Sequence, residues 1–252
     1  MNDSIIFLSD THFKYHIIDN GERKKREYFL DFLKRIRGIQ KLYLVGDIFD
    51  FWFEYVSAIP RYYHDILDGL CMVQKSGTDI FIVGGNHDFW LGPYISKALG
   101  FTILPPVSTH ELQGKRVTVT HGDMLLKGDY AYKALKALIR SRPVIAIARL
   151  FHPDFLYGFA RSFSKASKEI TQKKTEESAG RLLQMAPRSF FRWKNDVFVM
   201  GHIHYPYLQR FDKKVFVILG DWEQHYSYLH LKDGRLSLEC YKPGENTLSE
   251  NL

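Results

Sequence analysis

Four short apolar runs mark the chain, and each stops at a polar or glycine-containing cluster. They are Ile5-Ile6-Phe7-Leu8, Leu42-Tyr43-Leu44-Val45, Ile80-Phe81-Ile82-Val83 and Val197-Phe198-Val199-Met200. Runs this short, apolar without interruption and rich in β-branched and aromatic side chains, predict strands buried on both faces. Between the first three lie helical patterns, in the charged stretch from Arg23 to Arg37 and from Tyr62 to Gln74. Strand, helix, strand with right-handed crossovers predicts parallel strands whose carboxyl ends share one sheet edge. The class is α/β.

The clusters past these strand ends carry the chemistry. They are Asp10-Thr11-His12, Gly46-Asp47-Ile48-Phe49-Asp50, Gly85-Asn86-His87-Asp88, Thr120-His121-Gly122-Asp123 and Gly201-His202-Ile203-His204. Asp10 and Asp47 supply carboxylates, Asn86 an amide oxygen, and His12, His121, His202 and His204 imidazoles. Donors of this kind suit Mn, Fe or Zn. The set is large enough for two divalent ions sharing one carboxylate, an arrangement that drives water onto phosphorus. Asp47 is the candidate bridge, because Gly46 before it lets the backbone turn tightly against a metal. His87 stands outside the ligand set, beside Asn86. An imidazole there can pass a proton to a leaving oxygen. Asp88 and Asp123 read as turn-stabilising groups behind the ligands.

Length and composition bound the architecture. With 252 residues, 45% of them apolar, the chain can bury one large core. We expect a single domain over 1–242, with a helical insertion at about 125–192 and a polar tail at 243–252. No apolar run approaches the ~18 residues of a membrane-spanning helix. No cationic-then-apolar leader precedes the first strand, so a secretory signal is not expected. Cys71 and Cys240 lie far apart, as free thiols in a reducing cytoplasm would.

Charge changes the picture in one place. From Lys127 to Lys194 there are fifteen Lys or Arg against five Asp or Glu, a balance of +10 in a chain whose total is +7. Pro143, Pro153 and Pro187 punctuate the segment into short helices. A basic helical insertion beside a metal edge suits a lid over an anionic substrate, although solvated helix faces would give the same charge. Interleaved apolar residues (Leu135, Leu138, Ile139, then Val144 to Ala148, Phe151 and Phe155) exceed what one short cap requires. The excess suits a membrane surface or a groove for acyl chains.

The ordered clusters resemble the calcineurin-like metallophosphoesterase superfamily over the span from Asp10 to His204. The resemblance implies a four-layer α/β/β/α sandwich with a helical lid. It further implies that Asp10, His12, Asp47 and His204 hold one metal, and Asp47, Asn86, His121 and His202 the other. Position in related enzymes also suggests that Asp50 orients His87 as the catalytic acid, a loop-capping role being the alternative. Asp50-Phe51-Trp52-Phe53 stands where the protein phosphatases of the superfamily carry Arg-Gly.

The whole chain is most similar to the UDP-2,3-diacylglucosamine pyrophosphohydrolases of lipid A biosynthesis. Gly46 to Trp52, Asn86 to Gly92, His121-Gly122-Asp123, Gly128 to Tyr132 and Ser167-Lys168-Glu169 carry the likeness. It implies that Asp129, Tyr132, Arg161, Ser167, Thr171 and Lys174 line the sugar and phosphate pocket together with Asn86; Tyr132 and Ser167 also fit as ordinary helix residues. The substrate would be a lipid-linked sugar nucleotide, met peripherally at the cytoplasmic face of the inner membrane. No obligate nucleic acid is expected, and no protein partner is inferable. Two positions depart from many members of that family: His87 replaces Arg, and Asp50 replaces Glu, as in a second subgroup given the same activity. Ser164 occupies the place of an expected Arg, with Arg161 one turn earlier. A metal-dependent phosphodiesterase or nuclease acting on nucleotides or nucleic acid is the alternative, and its binding would fall steeply with salt.

Overall fold

The computed structural model describes residues 2–16, 19–123, 138–139, 141–158 and 194–244. All four predicted strands are present. β1 (Asn2–Leu8), β2 (Ile39–Val45), β3 (Asp79–Val83) and the short β4 (Thr102–Leu104) pair in parallel. The helices between them are α1 (Asn20–Arg35) and α2 (His64–Lys75). β10 (Ser227–Lys232) and β11 (Arg235–Cys240) extend this sheet antiparallel from the far side of β1.

The second sheet was not legible from the apolar runs. It comprises β5 (Val107–Leu112), β6 (Lys115–Thr120), β7 (Val197–Met200), β8 (Tyr207–Phe211) and β9 (Lys214–Ile218), in the order β5-β6-β7-β9-β8. The sequence placed every cluster on one sheet edge. In the structure His121 follows β6 and His202 follows β7, so two clusters come from the second sheet. β6 reads Lys-Arg-Val-Thr-Val-Thr and lacks the apolar continuity that revealed the others.

Two cores hold the layers. Ile6, Leu8, Leu42, Leu44, Ile80 and Ile82 face α1 and α2, where Phe29, Phe32, Leu33, Ile66 and Leu70 meet them. The alternate set, Ile5, Phe7, Tyr43, Val45 and Val83, packs against Val117, Val119, Val197, Val199, Val215 and Val217 of the second sheet. This is the period-2 alternation of strands buried on both faces. Phe7, Tyr43 and Phe81 stand in register on neighbouring strands and stack in succession at 4.7 Å per step.

Much of the insertion at about 125–192 lies outside the described residues, and so do residues 245–252 of the tail. Within it, α3 (Arg142–Ala148) carries Pro143 in its first turn, and Pro153 begins a helical segment over 153–158. Both prolines occupy the position where a missing N–H costs a helix nothing. Tyr157 anchors the segment: its hydroxyl donates to the Phe53 carbonyl at 3.3 Å and accepts from the Phe53 N–H at 3.4 Å. Trp90 Nε1 donates to the Ile139 carbonyl at 3.3 Å. Cys71 and Cys240 are both free.

Candidate metal centre

Backbone geometry assembles the site before any side chain is considered. The loop after β1 zips onto the loop after β2. Asp10 N donates to Gly46 O at 3.1 Å, His12 N to Asp47 O at 3.0 Å, and Phe13 N to Ile48 O at 3.0 Å. Such pairing requires left-handed backbone at Asp10 (φ 54°), His12 (φ 43°) and Asp47 (φ 52°), and His202 adopts it as well (φ 67°). Asp, Asn and His tolerate that region better than other residues with a side chain. Two glycines make the close approach possible. A Cβ at Gly46 would sit 2.4 Å from His121 Nδ1, and one at Gly85 would sit 2.1 Å from Asp47 Oδ1.

The predicted donors converge. His204 Nε2 lies 3.5 Å from Asp10 Oδ1, and His12 Nε2 lies 3.3 Å from His204 Nε2. Asp47 Oδ2 is 3.7 Å from His12 Nε2 and 3.3 Å from His121 Nε2, so it faces both groups. Asn86 Oδ1 is 3.1 Å from His121 Nε2 and 3.1 Å from His202 Nδ1. Donor atoms of Asp10, His12 and His204 lie within 4.8 Å of one another, as do those of Asp47, His121 and His202. His121 Nδ1 lies 3.0 Å from the Val45 carbonyl. Donation there fixes the tautomer and leaves Nε2 to ligate.

Charge in this pocket fits cations. Burial raises the carboxyl of Asp10, but the imidazoles of His12 and His204 close to it outweigh burial and hold the group well below the usual carboxylate range. Asp47 behaves likewise: His121 and His87 outweigh burial. Burial works against protonated imidazoles, yet Asp47 lifts His121 to about 9 and Asp10 lifts His204 to about 9. His202 goes the other way, to about 4, through burial and then the charge of His121. Burial also lowers His12. Protons on two imidazoles thus take the place that positive ions would occupy. Asp10 Oδ1 and His12 Nδ1 are buried with no hydrogen-bond partner among the described residues. An orphaned carboxylate oxygen facing imidazoles is what a metal would satisfy.

His87 sits at the mouth of this cluster. Its backbone N–H donates to Asp47 Oδ1 at 2.9 Å, and its ring stands edge-on to that of His12 with centroids 4.8 Å apart. The ring is held by Asp50, although mainly by the backbone: Nδ1 is 3.0 Å from the Asp50 carbonyl and 3.8 Å from its carboxylate Oδ1. Asp129, Tyr132, Arg161, Ser167, Thr171 and Lys174 lie outside the described residues.

Supporting groups behind the ligands are buried charges. Asp88 accepts from the N–H groups of Asp47 (3.1 Å), Ile48 (2.7 Å), Phe49 (3.3 Å) and Gly85 (2.8 Å), binding the second loop to the third. Burial and then the charge of Asp47 raise it to about 6. On the other side, the first two turns of α1 bring Glu22, Lys25 and Arg26 inward, all buried. Sequence reasoning placed Lys25 and Arg26 in a charged helical stretch and gave them no role at the site. The missed signal is helical spacing: Glu22, Lys25 and Arg26 precede Phe29 by seven, four and three residues, and so share its apolar stripe.

Residues 4–206 match the model of the calcineurin-like phosphoesterase family. Relatives similar over nearly their full length include the UDP-2,3-diacylglucosamine hydrolase of Pseudomonas fluorescens (strain SBW25), 31% identical over 94% of this chain and 95% of the relative. Another is the protein of the same name from Porphyromonas gingivalis (strain ATCC BAA-308 / W83), 29% identical over 97% and 100%. Most of the chain, including all five ligand clusters up to His204, thus falls within one family pattern, and the chain belongs to the calcineurin-like phosphoesterases, which are metal-dependent hydrolases.

Proposed function

We propose that the chain hydrolyses the pyrophosphate of UDP-2,3-diacylglucosamine, giving UMP and 2,3-diacylglucosamine 1-phosphate. The observation that carries this reading is the end-to-end likeness to hydrolases of that name, which spans the insertion as well as the metal loops. Asp10, His12, Asp47 and His204 would hold one divalent ion, and Asp47, Asn86, His121 and His202 a second. Mn2+ is the proposed metal; Fe and Zn match the same donors. When bound, the pair supplies activated water and neutralises phosphate oxygens.

The remaining chemistry belongs to the chain. His87 donates its Nδ1 proton to the Asp50 carbonyl at 3.0 Å, which directs Nε2 towards the leaving phosphate oxygen as the proton donor. The Asp50 carboxylate, at 3.8 Å, stabilises the imidazolium. Asn86, Asp129, Tyr132, Arg161, Ser167, Thr171 and Lys174 are proposed to bind the sugar and phosphates.

Two features support a lipid-linked substrate. A cavity of about 260 Å³ opens beside the third loop, lined by Phe53, Phe89, Trp90 and Leu91 and closed by Ile145 and Arg149 of the insertion. In the same insertion Leu138, Ile147, Leu150, Phe151 and Phe155 are exposed, Leu150 at 85%. No helix of the described residues is long and apolar enough to cross a membrane. Peripheral attachment to the cytoplasmic face of the inner membrane fits an apolar patch flanked by basic residues.

The test is Mn2+-dependent release of UMP from a diacylated UDP-sugar. Activity confined to oligonucleotides would transfer the centre to the phosphodiesterase alternative. His87→Ala should keep its metals and lose about a hundredfold in rate; loss of metal instead would make it a ligand. Flotation with anionic liposomes, abolished by Leu150→Glu with Phe155→Glu, tests the membrane contact.

A further inference from the structure

The loop that presents Asp10 and His12 has all three of its carbonyls held from outside the metal pocket. Trp222 N donates to Asp10 O at 3.2 Å. Lys25 Nζ donates to the next two, Thr11 O at 2.8 Å and His12 O at 2.9 Å. We propose that Lys25 is a positioning residue for the first metal, setting the peptide planes of Asp10-Thr11-His12 and hence the directions of the two ligands. The inference rests on the metal centre proposed above and is independent of its substrate.

Three observations converge on this role. Lys25 is only 4% exposed, and a buried ammonium persists only where partners compensate for lost water. Two of its hydrogen bonds go to consecutive carbonyls of one ligand loop rather than to its own helix. A single cation gripping adjacent carbonyls restrains the intervening peptide, in a segment where φ is left-handed on both sides. A bare positive charge this close would repel a bound cation. Glu22 Oε2 at 3.0 Å and Glu223 Oε1 at 3.7 Å flank the ammonium and offset it.

Glu223 makes the arrangement a closed loop of contacts. It lies one residue beyond Trp222, so the turn between β9 and β10 both holds the Asp10 carbonyl and meets the lysine that holds the next two. Arg26 fixes the other flank. It donates to Glu22 Oε1 at 2.9 Å, to Asp65 Oδ1 at 2.7 Å and to the Lys14 carbonyl beyond the ligand triplet. Both carbonyls that Lys25 holds belong to the loop carrying Asp10 and His12, ligands of the first ion only. The expected effect is therefore confined to one ion.

The experiment uses the full chain stripped by chelator and titrated with Mn2+ alone, followed by calorimetry. Two classes of site are expected, and His204→Ala identifies the class belonging to the first ion. Lys25→Met should weaken that class on the order of tenfold or more while leaving the other unchanged. Lys25→Arg, which can donate to both carbonyls, should recover most of the loss. Weakening of both classes together, or of neither, overturns the proposal. Should Lys25→Met fail to fold, Glu223→Gln carries the test. A smaller loss confined to the first class, with the metal-free melting temperature unchanged, supports the role, and an unaltered first class overturns it. A wild-type chain that takes up no Mn2+ sinks the metal centre itself, and this inference with it.

Discussion

The two halves of the candidate centre share Asp47 yet are held by different physics. In the first half, the loop of Asp10 and His12 is steadied by charge: the buried Lys25 and Glu22 on α1, with the more exposed Glu223 from the β9–β10 turn. Asn86, His121 and His202 are steadied by close backbone approach at Gly46 and Gly85 and by donation from His121 to Val45 O. Charge acts over a distance and tolerates small displacements. Steric cradling does not, since a fraction of an ångström in a packed interior is already costly. The halves should therefore fail in different ways.

Asp88→Asn is expected to do the most damage, because it strikes the element common to both halves. One amide oxygen cannot serve four N–H groups, and its NH2 faces donors. The change should cost about 3 kcal/mol of stability and both ions; denaturant melts with metal analysis would show it. Gly46→Ala should cost about 2 kcal/mol through overpacking against His121 and should strip the second ion while the first remains. Retention of both ions in that variant would erase the distinction between the halves.

Protonation offers a subtler comparison. Without metal, His121 in one half and His204 in the other each keep a proton below about pH 9. A metal must displace that proton, so apparent affinity should rise with pH up to about 9 and level off above it. At pH 7 each half should release a proton on loading, measurable by calorimetry in buffers of different ionisation enthalpy. Release from only one class would show the halves to be electrostatically unequal. The smallest effect is expected from Tyr157→Phe, which touches neither half. It should cost about 1 kcal/mol for the lost bonds to Phe53 and leave metal binding unchanged.

What the sequence revealed follows from how strongly each element announces itself. β1, β2, β3 and β7 each end in a continuous apolar run, and a ligand cluster abuts all four directly or within two residues. β6 alternates Val with Thr, half its residues facing away from the inter-sheet core, so its run never became continuous. The convergence of two sheets at one pocket was consequently visible only through family likeness. Lys25 and Arg26 were illegible for another reason. A charged residue on an apolar stripe looks like a flaw in the pattern until its partners, here carbonyls ten or more residues away in sequence, are brought beside it. His87 was found because it adjoins a ligand, but the carbonyl that holds it belongs to a backbone path no residue type encodes.

The inverted backbone at Asp10, His12, Asp47 and His202 has a consequence for how this centre can change over generations or in the hands of an engineer. Substituting any of them by valine or isoleucine removes a ligand and installs a side chain the main chain can scarcely accommodate. Loss of chemistry and loss of shape are thereby bound to the same codons. Grafting these donors onto a foreign scaffold would succeed only if the host supplied the same inverted turns.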